Sequence, residues 1–378
     1  MKITKLEIIH VKPKYSFLKI HTDEGITGIG EACLEGRARV VEMAVHDFEY
    51  LLLGQDPRRI EHLWNLMYRG TFYRAGAIMC SAISAIDQAL WDIWGKSLGL
   101  PVYKLLGGAV RDRIRVYKHV NTDEKAATDD MDRFIALAKQ AVQEGYTMIK
   151  TALPGPAHIL ETKGFIDRQT QRIAALREAI GPDIDFGIDF HGRVSPALAM
   201  QLIKEFEPFK PMFIEEPCLP ENVDSMVTIA RSTTIPIATG ERLYTRWGFK
   251  DILEKQAAAI IQPDLAHCGG ITEAKKIAAM GEVYYTGFAP HNPLGPVNLA
   301  ASIQLSATIP SFVAQEQITL GEGLIKQPFV LKDGYIELPT APGLGVELDE
   351  EKLAPLLYSG DWKLPYWIHE DDQSVADW

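Results

Sequence analysis

The sequence predicts an α/β protein in which a closed barrel of parallel βα units (residues 113–320) follows an α+β block (1–112) and precedes a tail (321–378). Three observations predict it. The length suits one barrel-sized domain with a smaller companion. Eight short apolar runs alternate with helix-period stretches from Arg113 onward. Acidic and histidine side chains recur where those runs end, at an interval of one βα unit.

The first block opens with KITKLEIIHVKP and SFLKIHTDEGITGIGEA, in which Asp23-Glu24-Gly25 is a turn signal between apolar runs. Helical patterns follow over 38–53, 60–68 and 77–98, the last stopped by Gly99 and Pro101. Strands then helices in this order give an α+β layer. From Arg113 the runs RIRVYKHV, YTMIKTA, IDFGIDFHG, PMFIEEP, IPIATGE, AAIIQPDL, YTGFAPH and SFVAQEQ read as eight parallel strands. A doubly wound open sheet is the rival, but RVYKHVNTDE carries no glycine-rich phosphate turn. The tail shows strand-like and loop-like pieces without βα alternation, and is expected to return to the first block.

Composition narrows the function. Of 378 residues, 47% are hydrophobic and 24% charged, as in a soluble globular chain. A formal net charge of −11 argues against nucleic-acid or acidic-membrane partners, which need basic patches. An anionic small substrate stays open, because one metal ion reverses the local sign of a pocket. Cys33, Cys80, Cys218 and Cys268 are scattered, which reads as reduced thiols in a cytoplasmic protein. MKITKLEIIHVKPKYSF has no signal pattern. Ser81, Ser84 and Asp87 interrupt the most apolar helical stretch, so no membrane span is expected.

The strand ends carry Lys150, Asp189 with His191, Glu215, Glu241, Asp264, His291 and Glu316. From Asp189 the successive intervals to Glu215, Glu241, Asp264, His291 and Glu316 are 26, 26, 23, 27 and 25 residues. Each is one βα unit, so the side chains gather at the C-terminal rim, where barrel enzymes place their sites. Asp189, Glu215 and Glu241 come from three successive strands, with no Lys or Arg at the equivalent positions. Crowded carboxylates repel, and a hard divalent cation with oxygen ligands resolves the repulsion. Magnesium is the expected ion; manganese is a substitute.

Each residue has a plainer reading. A lone acid after a strand is commonly a helix cap, but three at one-unit spacing with two histidines are not explained that way. His291 alone could be a core histidine. Asp264, one unit earlier, can orient its ring as a general base requires. His191, two residues beyond Asp189, should share its side of the strand and act as a second acid or base. Glu316 is either a buried structural carboxylate or a proton-handling group. Lys150 either neutralises a carboxylate or meets substrate. His119 ends the first strand and is a weaker substrate-binding candidate, and His267 reads as structural.

The runs DFHGR, FIEEP, GERL, QPDLAHCGGITE and APHNPLGP, in this order and spacing, resemble the mandelate racemase branch of the enolase superfamily. The likeness covers nearly the whole chain, including EGRAR, SAIDQALWDI and the terminal HED and SVADW, and within the branch it is similar to the D-galactonate dehydratases. The resemblance implies a (β/α)7β modified barrel with an α+β capping domain completed by the tail. It implies magnesium on Asp189, Glu215 and Glu241, His291 with Asp264 as the general base, His191 as the general acid, and Glu316 near the substrate. It implies acid-sugar dehydration: loss of the carbon-2 proton and the 3-hydroxyl to give a 2-keto-3-deoxy acid. The partner is then a small acid sugar, and the assembly a homo-oligomer.

Racemases of the branch carry a second Lys two residues beyond the first on strand two, where this chain has Thr151 and Ala152. Lactonising relatives use a Lys after strand six, where Asp264 stands. The chain departs from the galactonate pattern at Thr151-Ala152-Leu153-Pro154, at KHVNTDE, and at Asn292 after His291, a position that reads as substrate-binding. D-galactonate or a related aldonate is therefore the expected substrate. Epimerisation or cycloisomerisation through the same enediolate is the enzymatic alternative, and a non-catalytic binding protein on the same barrel the alternative of another class.

Overall fold

The computed structural model describes residues 1–74, 76–120, 130–153 and 155–377. Ala75, the NTDE run after the first barrel strand, Pro154 and the final Trp lie outside the described residues.

Three antiparallel strands open the chain: β1 (Ile3–Val11), β2 (Tyr15–Thr22) and β3 (Thr27–Glu31), in that order. The Asp23-Glu24-Gly25 turn joins the last two, with Gly25 at φ 77°. Helices α1 (Ala38–Asp47), α2 (Glu49–Leu52), α3 (Ile60–Arg69), α4 (Ala77–Leu98) and α5 (Val102–Leu105) follow. The helix expected over 38–53 divides at Phe48, whose N–H bonds to Val45 O at 3.1 Å and tightens the turn while the ring is buried.

Helix α4 is buried nearly all round because it lies between two layers. On one side β3 comes close: a Cβ on Gly30 would sit 2.0 Å from Ala85 O. On the other side the polar residues that interrupt its apolar run bond to the barrel. Ser84 Oγ accepts from Gly269 N at 2.9 Å and Asp87 Oδ2 from Thr272 N at 3.0 Å, while Gln88 Nε2 donates to Leu265 O at 3.0 Å.

The barrel strands are β4 (Arg113–His119), β5 (Met148–Ala152), β6 (Asp185–Asp189), β7 (Phe213–Glu215), β8 (Ile237–Thr239), β9 (Ile260–Ile261), β10 (Gly287–Phe288) and β11 (Gln315–Gln317). Between them lie α6 (Met131–Gln143), α7 (Lys163–Ile180), α8 (Pro196–Phe206), α9 (Val223–Arg231), α10 (Thr245–Glu254), α11 (Gly270–Val283) and α12 (Pro296–Ser306). Side chains of Asp130, Thr162, Ser195 and Asn222 cap α6 to α9. Neighbouring strands are parallel in chain order, β11 pairs with β4, and Phe312 bridges Phe288 beside β10. The ring closes, and the architecture is (β/α)7β.

Alternation along each strand sends one set of side chains outward to the helices and the other inward. Tyr117, Met148, Phe213, Ala238, Ile260, Ala289 and Ala314 form a separate inner cluster from seven staves. The eighth, β6, offers Gly187, where a Cβ would lie 2.5 Å from the Phe213 ring. Its missing side chain makes room for that ring.

The tail divides its contacts. Leu344 N reaches Asp92 Oδ1 (2.8 Å), and Leu356 O accepts from Lys12 N (2.9 Å) in the first block. Beyond the return that the sequence predicts, β12 (Tyr335–Glu337) runs antiparallel to the start of β4. A last hairpin, β13 (Trp367–Ile368) and β14 (Val375–Ala376), packs on the barrel, where Arg193 lies 4.3 Å over the Trp367 ring and His158 stacks on His369 at 3.9 Å. No helix among the described residues is long and apolar enough to cross a membrane, and the four cysteines are free and buried.

Candidate active site

The rim is built by short strands that stop early and hand their polar residues to turns. Asp189 and Glu215 end β6 and β7 and are register partners. Glu241 lies two residues beyond β8, and Asp264 and His291 lie three beyond β9 and β10. The functional ring is therefore not level: Glu241, Asp264 and His291 stand on loops above the strand ends, whereas Glu316 lies within β11.

Five carboxylates (Asp189, Glu215, Glu241, Asp264 and Glu316) and three histidines (His119, His191 and His291) meet there. His191 Nε2 lies 3.2 Å from Asp189 Oδ2. It gets there by a turn, not by the strand alternation the sequence suggested: β6 ends at Asp189, His191 adopts φ 50°, and its N–H bonds back to Asp189 Oδ1 at 2.8 Å. His291 has a carboxylate on each nitrogen, with Nδ1 2.7 Å from Asp264 Oδ2 and Nε2 3.0 Å from Glu241 Oε2. Burial works against its charge, but Glu241, Glu316 and Asp264 hold the imidazolium well above the usual histidine range.

Lys150 stands at the centre, where it neutralises not one carboxylate, as one of its two sequence readings had it, but three. It lies one strand before Asp189, and its stem carries Nζ to 2.7 Å from Glu316 Oε1, 2.8 Å from Glu215 Oε1 and 3.1 Å from Asp189 Oδ2. Burial opposes its charge; Glu215, Glu316 and Asp189 prevail and keep it well above the ordinary lysine range. Burial and the Asp189 charge push Glu215 well above the usual carboxylate range. Glu241 and Glu316 are held well below it despite burial, by His291 for the first and by Lys150, His291 and His119 for the second.

One ammonium cannot balance this set. Asp189 Oδ2 and Glu241 Oε2 are buried without a hydrogen bond of ordinary geometry, although cationic atoms lie 3.1 and 3.0 Å away. Glu215, Glu241 and His291 offer ligand atoms within 4.8 Å of one another, with Asp189 beside Glu215. Hard oxygen donors with unused lone pairs fit a dication such as magnesium. A second group able to hold a metal, His158, His369 and Asp371, lies away from this ring at the tail hairpin.

His119 ends β4 and bonds Glu316 through Nε2. Asn292 departs from its substrate-binding reading. Its side chain is buried and turned to Asn298, its N–H bonds to Glu316 Oε2 at 2.7 Å, and so it supports the ring from behind.

Above the ring is a cleft of about 680 Å³, walled partly by the first block (Lys14, Leu34, Glu35) and the tail (Trp362, Leu364, Asp377). Arg242 and His267 complete it on the barrel side. Arg242 bonds to Glu216 Oε2 (2.7 Å) and to His191 O. His267 stands between Glu35 Oε2 (3.5 Å), Asp264 Oδ2 (3.9 Å) and Ser81 Oγ (2.9 Å). Sequence spacing misses the walls from the first block and the tail, since they come from segments far apart in the chain; EGRAR supplies Glu35 and the terminal SVADW supplies Asp377.

Comparison with known proteins agrees with this geometry. Residues 133–352 match the enolase C-terminal domain-like model, and residues 8–107 match the mandelate racemase/muconate lactonizing enzyme N-terminal domain. Proteins named D-galactonate dehydratase from Variovorax paradoxus (strain S110) and Xanthomonas euvesicatoria pv. vesicatoria (strain 85-10) are each 47% identical over 390 residues, covering 100% of both chains. Among solved structures, the mandelate racemase/muconate lactonizing enzyme from Jannaschia sp. CCS1 has a TM-score of 0.89 at 33% identity, over 95% of this chain and 98% of that one. A member of the enolase superfamily from Salmonella Typhimurium has 0.86 at 35% identity, over 93% and 97%. Likeness from end to end in sequence and in fold places the chain: it belongs to the mandelate racemase/muconate lactonizing enzyme family, the mandelate racemase branch of the enolase superfamily.

Proposed function

We propose that this protein is an acid-sugar dehydratase, a hydro-lyase acting on D-galactonate or a closely related aldonate. Full-length relatives at 47% identity carry the D-galactonate dehydratase name, which makes that acid the first to test. The observation that carries the reading is a pair of unequal imidazoles at the carboxylate ring. His291 is oriented by Asp264 at 2.7 Å, whereas His191 hangs on the Asp189 turn. An elimination needs one group to take a proton and another to give one.

In this reading Asp189, Glu215 and Glu241 hold magnesium, with Lys150 adding a fixed positive charge beside them. The bound ion supplies positive charge against the negative charge that develops on the substrate carboxylate. With Glu241 engaged as a ligand and no longer holding a proton on Nε2, His291 takes the proton from carbon 2 there while its Nδ1–H stays on Asp264. His191 gives a proton to the 3-hydroxyl, which leaves as water when the C3–O bond breaks. The resulting enol gains a proton at carbon 3 and becomes the 2-keto-3-deoxy acid. Glu316 holds Lys150, His119 and the Asn292 N–H in place.

The reading takes residues 1–112 as the cap, 113–320 as the catalytic barrel and 321–378 as the segment that completes the cap. It also includes a cytoplasmic homo-oligomer, whose size light scattering reads. The test is incubation with magnesium and a stereochemically complete panel of aldonates, followed by semicarbazide detection of 2-keto-3-deoxy acid. A product isomeric with its substrate would replace dehydration by epimerisation.

A further inference from the structure

We infer that Gln88 and Asn298 are positioning residues for His291, joined to it by hydrogen bonds whose direction is set where the first block meets the barrel. This rests on His291 as the proposed base. Two backbone groups with no choice of role start the chain of bonds. The Glu31 N–H can only donate, and bonds to Gln88 Oε1 at 2.9 Å. The Leu265 carbonyl can only accept, and takes Gln88 Nε2–H at 3.0 Å. The Gln88 amide is thereby locked in one sense.

Its second N–H points at Asn298 Oδ1, 2.9 Å away. Asn298 must then turn Nδ2 outward, to Asp264 Oδ1 and to Asn292 Oδ1, each at 3.0 Å. Ala266 N adds a second donor to Asp264 Oδ1 at 2.7 Å. Oδ2 is left to accept from His291 Nδ1–H at 2.7 Å. Nδ1 holds its proton and Nε2 is the nitrogen that exchanges one. The Glu31 carboxylate steadies the same helix start, accepting from Gly295 N at 2.5 Å and Asn298 N at 2.8 Å. Glu31, Gln88, Asn298 and Asp264 are all fully buried, so no water edits the sense of these bonds.

The Gln88→Glu variant replaces the donating NH2 by an acceptor, which favours an inverted Asn298 amide with oxygen toward Asp264. Gln88→Met removes the same bonds without imposing a sense. For wild type, both variants, Asp264→Asn and the double variant Gln88→Glu/Asp264→Asn, kcat, KM and Tm are measured with the aldonate that the wild type converts. Gln88→Glu is expected to lower kcat about 10- to 100-fold, the range for supporting partners of a reacting group. KM should stay within about twofold, and kcat in the double variant should equal that of Asp264→Asn. Gln88→Met should lose less kcat for a similar fall in Tm.

Multiplicative kcat losses in the double variant, or kcat that simply follows Tm across both Gln88 variants, would overturn the inference. If the wild type converts no aldonate, the proposed function fails and the thermal cycle decides the relay. Tm losses that overlap in the double variant support it, and losses that add overturn it.

Discussion

Replacing His267 by Gln should cost stability in a way that depends on pH. Burial disfavours its charge, but Asp264 and the bond to Glu35 outweigh that and raise its pKa from 6.5 to about 9. The partner agrees: burial would raise Glu35, yet His267 brings it to about 2. Because the folded imidazole binds its proton more tightly than the unfolded one, its stabilisation is complete below pH 6.5 and disappears as pH rises through 9. The shift is worth about 3 kcal/mol near pH 6 and almost nothing near pH 10. His267 is only 4% exposed, so solvent screening takes little from this. Urea unfolding of wild type and His267→Gln, at matched protein concentration from pH 6 to 10, reads it. The gap between the two should close by about 3 kcal/mol across that range. A gap that stays constant would mean that His267 packs without charge and that the ion pair with Glu35 contributes nothing.

Other outcomes follow from the ring and the core. His291→Asn should lower dehydration by about 10²- to 10⁴-fold, the usual worth of a general base, while calorimetric magnesium affinity holds; unchanged turnover removes the base assignment. Lys150→Met leaves three buried carboxylates without their ammonium and should cost about 3–5 kcal/mol in magnesium-free buffer. Added magnesium should then raise Tm more in the variant than in wild type, and equal responses would contradict the shared-charge picture. Gly30→Ala drives a methyl against the Ala85 carbonyl at 2.0 Å and should cost about 3 kcal/mol, read by a circular-dichroism melt. A variant melting with the wild type would contradict the close contact of β3 with α4.

The barrel was readable because parallel strands buried on both faces leave short apolar runs, and one βα unit returns the chain to the same rim. Asp189, Glu215, Glu241, Asp264 and His291 meet for that reason. What spacing cannot convey is reach and direction. Lys150 lies inside the ring only because a four-carbon stem crosses to the neighbouring staves. His191 arrives through a left-handed turn, and Asn292 faces away from the cleft because Asn298 holds its amide. Glu35 and Trp362 are separated by most of the chain, and nothing periodic marks their common wall. The polar residues within α4 looked like interruptions of an apolar helix; they are its bonds to the barrel.

The cleft draws its floor and its walls from different parts of the gene. The carboxylates and imidazoles of the floor stand on barrel staves or just beyond their ends, whereas Lys14, Glu35, Trp362 and Asp377 come from segments far apart in the chain. Under the proposed function, variation in those outer segments would retune which sugar acid is accepted without disturbing the floor. Exchanging both terminal segments together between relatives should therefore transfer preference for a stereoisomer, while exchanging either alone leaves half of each wall mismatched.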